Sequence, residues 1–516
     1  MKSSKELFEL IKSLNGQEKR YFVLYASRNI LKGSNNYLKL FYAISKQKEY
    51  DEKKICEMFP HEKFVKNMSE TKYQLYRLIL KSLHVYHSNN SIDATLKEQL
   101  HYAEILYKKR LFNHCGKVLS KAQNFAYKYE KYIPVVEILN RKKQLMTTVV
   151  YEGQTEKDLK TFFDEGYVAL EKLKNVWDYS HLSSQFFMQI QKESVLRNQE
   201  DVKKLKNIIK NVLFTNENKA LSYDAKVTYY NIKSVYFQTI GDYENNYKYA
   251  KRLVEIQEIR AENIIESIQL HLIFLNNLLG ACLRIKKFNE VSHNLEKMRA
   301  IPAKYNMSGN NDIKVRIFLS SYIMEMNMYI LMGQFKKGLT LIKPIETGLK
   351  EFKDKITRDK VLIFYFNIAY LHFGSAEYNK ALFWIHKIIN DPEIESRQDI
   401  QQFSRILNLI IHYELGNVDF LEYAVKSAHR FLQRRNKLYD FEACLINFIR
   451  KDLGKTERRE DLVAKFKKLK SNLLEILKDS AEKMAGQYFD FISWLDSKIE
   501  NRPFADVVKE KAKSFS

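Results

Sequence analysis

The chain of 516 residues is 45% apolar and 29% charged, with only 15 Gly and 6 Pro, a helix-rich profile poor in the residues that punctuate sheets and long loops. Cys56, Cys115, Cys282 and Cys444 lie far apart with no C-x-x-C pair, which argues against a zinc ribbon or a dense disulfide framework and predicts a reduced, cytoplasmic protein. A formal charge of +24 would concentrate polyanions, yet lysine is abundant alongside Asn, Ile, Tyr and Phe, and the excess reads as a solvated surface.

In chain order, MKSSKELFELIKSLNG carries charge throughout and reads as a helix of the mature protein rather than a secretory signal. Helices are predicted around residues 5–13, 17–26, 37–45 and 72–86. Ser3 with Glu6, and Asn15 with Glu18, each place a capping oxygen three residues ahead of an acid that reaches back, the pattern of a helix start. The polar stretch HSNNSIDAT from His87 reads as a linker, so residues 1–90 form an N-terminal helical domain. From 91 to 450, helix pairs joined by short turns follow one another, with looser connections at YEGQTEKD from Tyr151 and NMSGNNDIK from Asn306. Uncharged runs such as VLIFYFNIAYLHFGSA from Val361 fall short of the roughly 20 apolar residues that span a bilayer, and no membrane insertion is expected. Residues 451–516 are lysine-rich and end in an apolar stripe, Phe489, Ile492, Trp494, Leu495 and Ile499, suited to a helical cap.

Between 91 and 450 a unit repeats. In its clearest copy Tyr365, Ile368, Ala369 and His372 precede the turn GSAEY, and Ala381 and Ile385 follow it. A small residue in each helix, Ala369 and Ala381, lets two antiparallel helices approach closely. Pro392 terminates the second helix. Similar units start at Leu100, Tyr229, Leu278, Met326 and Asn408, with turns marked by Gly241-Asp242-Tyr243, Phe288, Gly333 with Phe335, and Gly416. On these residues the chain resembles the tetratricopeptide repeat (TPR) proteins, with bacterial members in view. The interval between Pro134 and Asn216 matches poorly. Turn aromatics at Tyr243, Phe288, Phe335 and Tyr378 step by 45, 47 and 43 residues, against ~34 in the standard repeat, which implies helices longer by about five residues.

The resemblance implies an all-α fold: a right-handed superhelical array of TPR-like hairpins between the N-terminal domain and the C-terminal cap. In that family the first helix of each hairpin lines a concave groove. Asn231, Asn276, Asn277, Asn327, Asn367 and Asn408 recur there, and an Asn carries both a donor and an acceptor for an extended peptide backbone. Phe366 and Tyr370 occupy the neighbouring groove positions of the clearest unit and cannot neutralise a carboxylate, which points to an apolar or aromatic contact.

No catalytic pattern completes itself. Gly454-Lys455-Thr456 follows Ile449 where a phosphate loop needs its first glycine, and His61-Glu62 is followed by Val65 where a zinc protease needs its second histidine. His84 and His87 share a helix face without further ligands, so neither cofactor nor metal is expected. Residues 1–90 hold 17 Lys and Arg against 9 Asp and Glu, about twice the positive surplus per residue of the rest. A helix from Glu70 with Lys72, Arg77 and Lys81 toward phosphate is therefore a candidate nucleic-acid reader, although Leu75, Leu78, Ile79, Leu80 and Leu83 require much of it to be buried. The expected function is a non-catalytic scaffold that binds a protein or peptide. The alternative is a nucleic-acid-binding regulator whose array senses a ligand.

Overall fold

The computed structural model describes residues 3–29, 36–87, 91–192, 199–259, 261–307, 309–391, 397–435, 439–452, 458–478, 486 and 488–513. Pro392 and Gly454-Lys455-Thr456 lie outside them, as does the Ser3 side chain. Among the described residues all regular structure is helical. The chain divides into two compact units, residues 1–174 and 175–516.

In the first unit, α1 (Ser3–Ser13), α2 (Gly16–Asn29), α3 (Asn36–Lys46), α4 (Glu52–Met58), α5 (Lys63–Lys66) and α6 (Met68–His87) enclose Leu7, Phe22, Phe41, Ile55, Leu75 and Ile79. The predicted capping box opens α2: Asn15 Oδ1 accepts from Glu18 N, and Glu18 Oε2 accepts from Asn15 N, both at 2.9 Å. Of the polar stretch from His87, residues 88–90 lie outside the described residues, and residues 92–95 are helical rather than linker. Ser91 Oγ accepts from Ala94 N at 3.0 Å and starts α7 (Ile92–Lys108), so Asp93 and Thr95 are helical. Then come α8 (Phe112–Lys128), α9 (Tyr132–Thr148) and α10 (Glu156–Lys192), whose residues from Asn175 onward belong to the second unit. Helices α7, α8 and α9 pack in succession around Leu96, Leu119, Ala122 and Ile138. The 37 residues of α10 run without a turn, which is why the interval from Pro134 to Asn216 shows no hairpin pattern.

The second unit continues with α11 (Gln199–Ile209), the pair α12 (Tyr223–Thr239) and α13 (Tyr243–Glu258), then α14 (Ala261–Glu266), α15 (Ile268–Arg284), α16 (Phe288–Lys304) and α17 (Asn311–Leu331). The partner of α17 is broken into α18 (Phe335–Leu339) and α19 (Ile342–Glu351). After it stand α20 (Arg358–Gly374), α21 (Tyr378–Ile389), α22 (Gln398–Glu414) and α23 (Val418–Arg434). The remainder is α24 (Asp440–Asp452), α25 (Arg459–Ile476), α26 (Phe491–Glu500) and α27 (Phe504–Lys513).

These hairpins are TPR-like, and their turns are built alike. In each the second residue after the first helix adopts a left-handed backbone, and the next N–H donates to the carbonyl five residues back: Asp242 to Phe237 at 2.9 Å, Lys287 to Cys282 at 2.9 Å, Gln334 to Tyr329 at 2.9 Å, Glu377 to His372 at 2.9 Å and Asn417 to His412 at 3.0 Å. Leu111 to Leu106 and Lys131 to Ala126 repeat the bond in the first unit. The left-handed residue is glycine at Gly241, Gly333 and Gly416, but Lys286, Ala376, Arg110 and Glu130 take the same conformation with a side chain. Glycine therefore marks only some of the turns. Ala369 and Ala381 are fully buried where α20 meets α21, and Tyr365 packs on Trp384 with ring centroids 5.2 Å apart. The long period appears as helices of 17 residues at α12, α15 and α16 and 21 at α17.

Candidate functional site

In the second unit the first helices α15, α17, α20 and α22 follow one another side by side, each touching the next. The chain itself covers one part of the face they make. Tyr488 stacks on Phe403 at 4.3 Å and meets Phe366 edge-on at 6.3 Å. Phe489 lies against Tyr370 and Phe373, at 4.9 and 5.1 Å, and Phe504 of α27 lies 5.6 Å from Phe335. The Tyr370 hydroxyl accepts from Asp490 N at 2.9 Å. Burial, with the Asp490 carboxylate nearby, pushes that phenol well above its ordinary value and keeps it neutral. Trp494 is fully buried and donates to Glu414 at 2.7 Å, while Lys498 pairs with the same carboxylate at 2.5 Å. The apolar stripe expected of a cap thus lies along α20 and α22 and reaches back to α17, where α27 runs so close to Gly333 that an added Cβ would stand 2.8 Å from Lys509 N.

The other part of the face is open. Between α15, α17 and α20 lies a cavity of about 680 Å³. Helix α17 contributes Asp312, Val315, Arg316, Leu319, Ser320 and Ile323, whose spacing of three and four residues makes one stripe; Gln269 and Asn276 come from α15, and Lys360 and Ile363 from α20. Its floor is apolar and its rim carries Arg316, Lys355 and Lys360 against Asp312. Lys355 pairs with Asp312 at 2.6 Å, and the Arg316 guanidinium donates to the Gln269 carbonyl at 3.5 Å. Such a surface can hold an extended or helical segment by apolar contact and bond its polar groups at the rim.

The residues singled out from the sequence are distributed over both parts. Asn276 lines the cavity, and Asn277 stands half-buried beside it on α15. Asn231 is half-buried on α12. Asn327 accepts from Asn367 Nδ2 at 3.1 Å, a bond linking α17 to α20. Asn408 is buried on α22. Phe366 and Tyr370 are buried under residues 488–504. Sequence reasoning passed over Arg316, Ser320 and Ile323; the i, i+4, i+7 placement of half-exposed residues in α17 was the signal that could have found them.

On α6, Lys72 is buried and bonded to Glu52 at 2.6 Å, whereas Arg77, 5.7 Å from the Tyr73 ring, and Lys81 are exposed. All four cysteines are free thiols; burial pushes Cys282 up to about 12. Among the described residues no three His, Cys, Asp or Glu side chains converge as metal ligands, and no helix is long and apolar enough to cross a membrane.

No family model and no curated protein matches the chain. Among solved structures it is similar to a Rap protein complexed with competence and sporulation factor, at 13% identity and a TM-score of 0.42, over 76% of this chain and 99% of that one.

Proposed function

We propose that the protein is a non-catalytic, cytoplasmic scaffold that holds a protein or peptide segment on the open first-helix face of its second unit. The observation that carries this reading is the cavity between α15, α17 and α20, where an apolar floor of Leu319, Ile323 and Ile363 is rimmed by Arg316, Ser320 and Asn276. The cavity is large enough for several side chains of a bound segment. Asn277 stands next to it, with Asn231, Asn327, Asn367 and Asn408 on the neighbouring first helices. The four free thiols suit a reducing compartment.

The test is affinity purification from the native cell with and without nuclease, comparing the wild type with Ile323→Glu and Asn276→Asp. A specific protein retained by the wild type with nuclease present, lost from both variants and kept by Tyr423→Ser, 70% exposed on α23, supports the reading. Retention unchanged in both cavity variants rejects it, and retention that disappears with nuclease points to a nucleic-acid bridge.

A further inference from the structure

The open cavity is not uniform along its length. Gln269, Asp312 and Lys360 stand in the first turns of α15, α17 and α20, so the N-terminal ends of all three helices meet at one end of it. Leu319 and Ile323, farther along α17, floor the rest with Ile363 of α20. Each helix N-terminus carries a partial positive charge. Fixed charges add to it: Arg316, Lys355 and Lys360 stand at this end against Asp312 and Asp359 of the first turns. Both acids are already engaged, since Lys355 pairs with Asp312 at 2.6 Å and Lys360 lies 3.8 Å from Asp359. Arg316 is left over. Its guanidinium donates to the Gln269 carbonyl at 3.5 Å and pairs with no carboxylate among the described residues. It is half-buried beside an apolar floor, where a charge acts more strongly than on an open surface.

We propose that the segment held on this face is acidic, and that an Asp or Glu side chain within it pairs with Arg316 while its apolar neighbours fill the floor. The inference rests on the groove reading and adds the chemistry that the groove selects. A guanidinium that lacks a carboxylate matches one in a two-point bond, and a basic segment is repelled at the same end. Asp312 and Lys355 at that end are exposed and wall nothing off, so the segment runs on past them. The carboxylate is therefore a side chain inside the segment rather than a chain terminus. From Arg316 to Ile323 the helix rises about 10 Å, which an extended segment crosses in about three residues. The acid and its apolar neighbour are thus expected about three positions apart. The ion pair fixes the register and direction of the segment, and the apolar contacts supply most of the affinity.

Selection of random peptides on the immobilised full chain tests it, the peptides being displayed on phage with fused C-termini that offer no free carboxylate. The expected pool is enriched in Asp and Glu at least about twofold over the library. Ile323→Lys, which disturbs the floor without adding negative charge, weakens its capture at least about tenfold. Synthetic peptides from that pool, amidated at the C-terminus, bind Arg316→Glu at least about thirtyfold more weakly than the wild type and Lys360→Glu about threefold more weakly, with circular dichroism unchanged. Selection repeated on Arg316→Glu turns the preference to Lys and Arg. A pool that needs Ile323 but is neutral or basic, or that binds Arg316→Glu and Lys360→Glu as well as the wild type, overturns the acidic segment and leaves the groove reading standing. No enriched pool, or one that Ile323→Lys captures as well as the wild type, overturns both.

Discussion

The covered and open parts of the first-helix face differ in what stands on equivalent helices. On α20 and α22 the face is aromatic, Phe366, Tyr370 and Phe403, and the chain seats its own Tyr488, Phe489 and Trp494 there. On α17 it mixes Ser320 and Arg316 with Leu319 and Ile323 and remains open. One hairpin geometry therefore makes two surfaces. Large rings next to one another exclude water only when another apolar layer is laid on them, whereas a floor rimmed by charge stays hydrated and accessible.

The comparison can be broken most forcefully at Trp494. Trp494→Ala removes a fully buried indole and leaves Glu414 without that donor, and should destabilise the second unit by about 3–5 kcal/mol in urea unfolding. On the open side the largest expected effect is a pH effect behind the face. His271 of α15 is buried beside Gln257, Nδ1 2.9 Å from Oε1, and burial lowers its pKa to about 4. A folded value below the unfolded one means the unfolded chain binds the extra proton. Stability is then full above about 6.5 and falls as pH drops toward about 4, by roughly 3 kcal/mol, and His271→Gln should flatten that slope in unfolding measured across this window.

A finer contrast uses two glycines at equivalent turns. Gly241 and Gly333 both have left-handed backbones, φ 78° and 64°, but only Gly333 lies against α27. Gly241→Ala should cost about 1–2 kcal/mol for the backbone alone, and Gly333→Ala about 1–3 kcal/mol more for the collision with Lys509 and Ala505. Equal losses would show that α27 does not press on that turn in solution. The smallest effect belongs to the open cavity, where Ser320→Ala should change stability by less than about 0.5 kcal/mol.

Much of the architecture was legible because the period of 3.6 and the small-residue pair Ala369 and Ala381 are local signals, and the buried stripe Phe489, Trp494 and Leu495 was visible for the same reason. Other features were not. Turns at Lys286, Ala376 and Arg110 lack the glycine that would announce a left-handed residue, and are held by the backbone bond that follows. The uninterrupted α10 left no turn to read. Residues such as Phe366 were assigned to a groove face from one hairpin alone, and what covers that face depends on a pairing no local window contains. The open site was half legible: Asn276 lines the cavity, while its α17 neighbours needed the packing of three helices to be recognised.

The covering of α20 also has a consequence for how the chain comes off the ribosome. Tyr370 bonds to Asp490, 120 residues later, and Lys286 reaches the Lys511 carbonyl, 225 residues later. At a synthesis rate on the order of 5–20 residues per second, the aromatic face of α20 waits many seconds after its own hairpin has emerged. During that interval Phe366, Tyr370 and Phe373 form an apolar nascent surface open to contact with other chains.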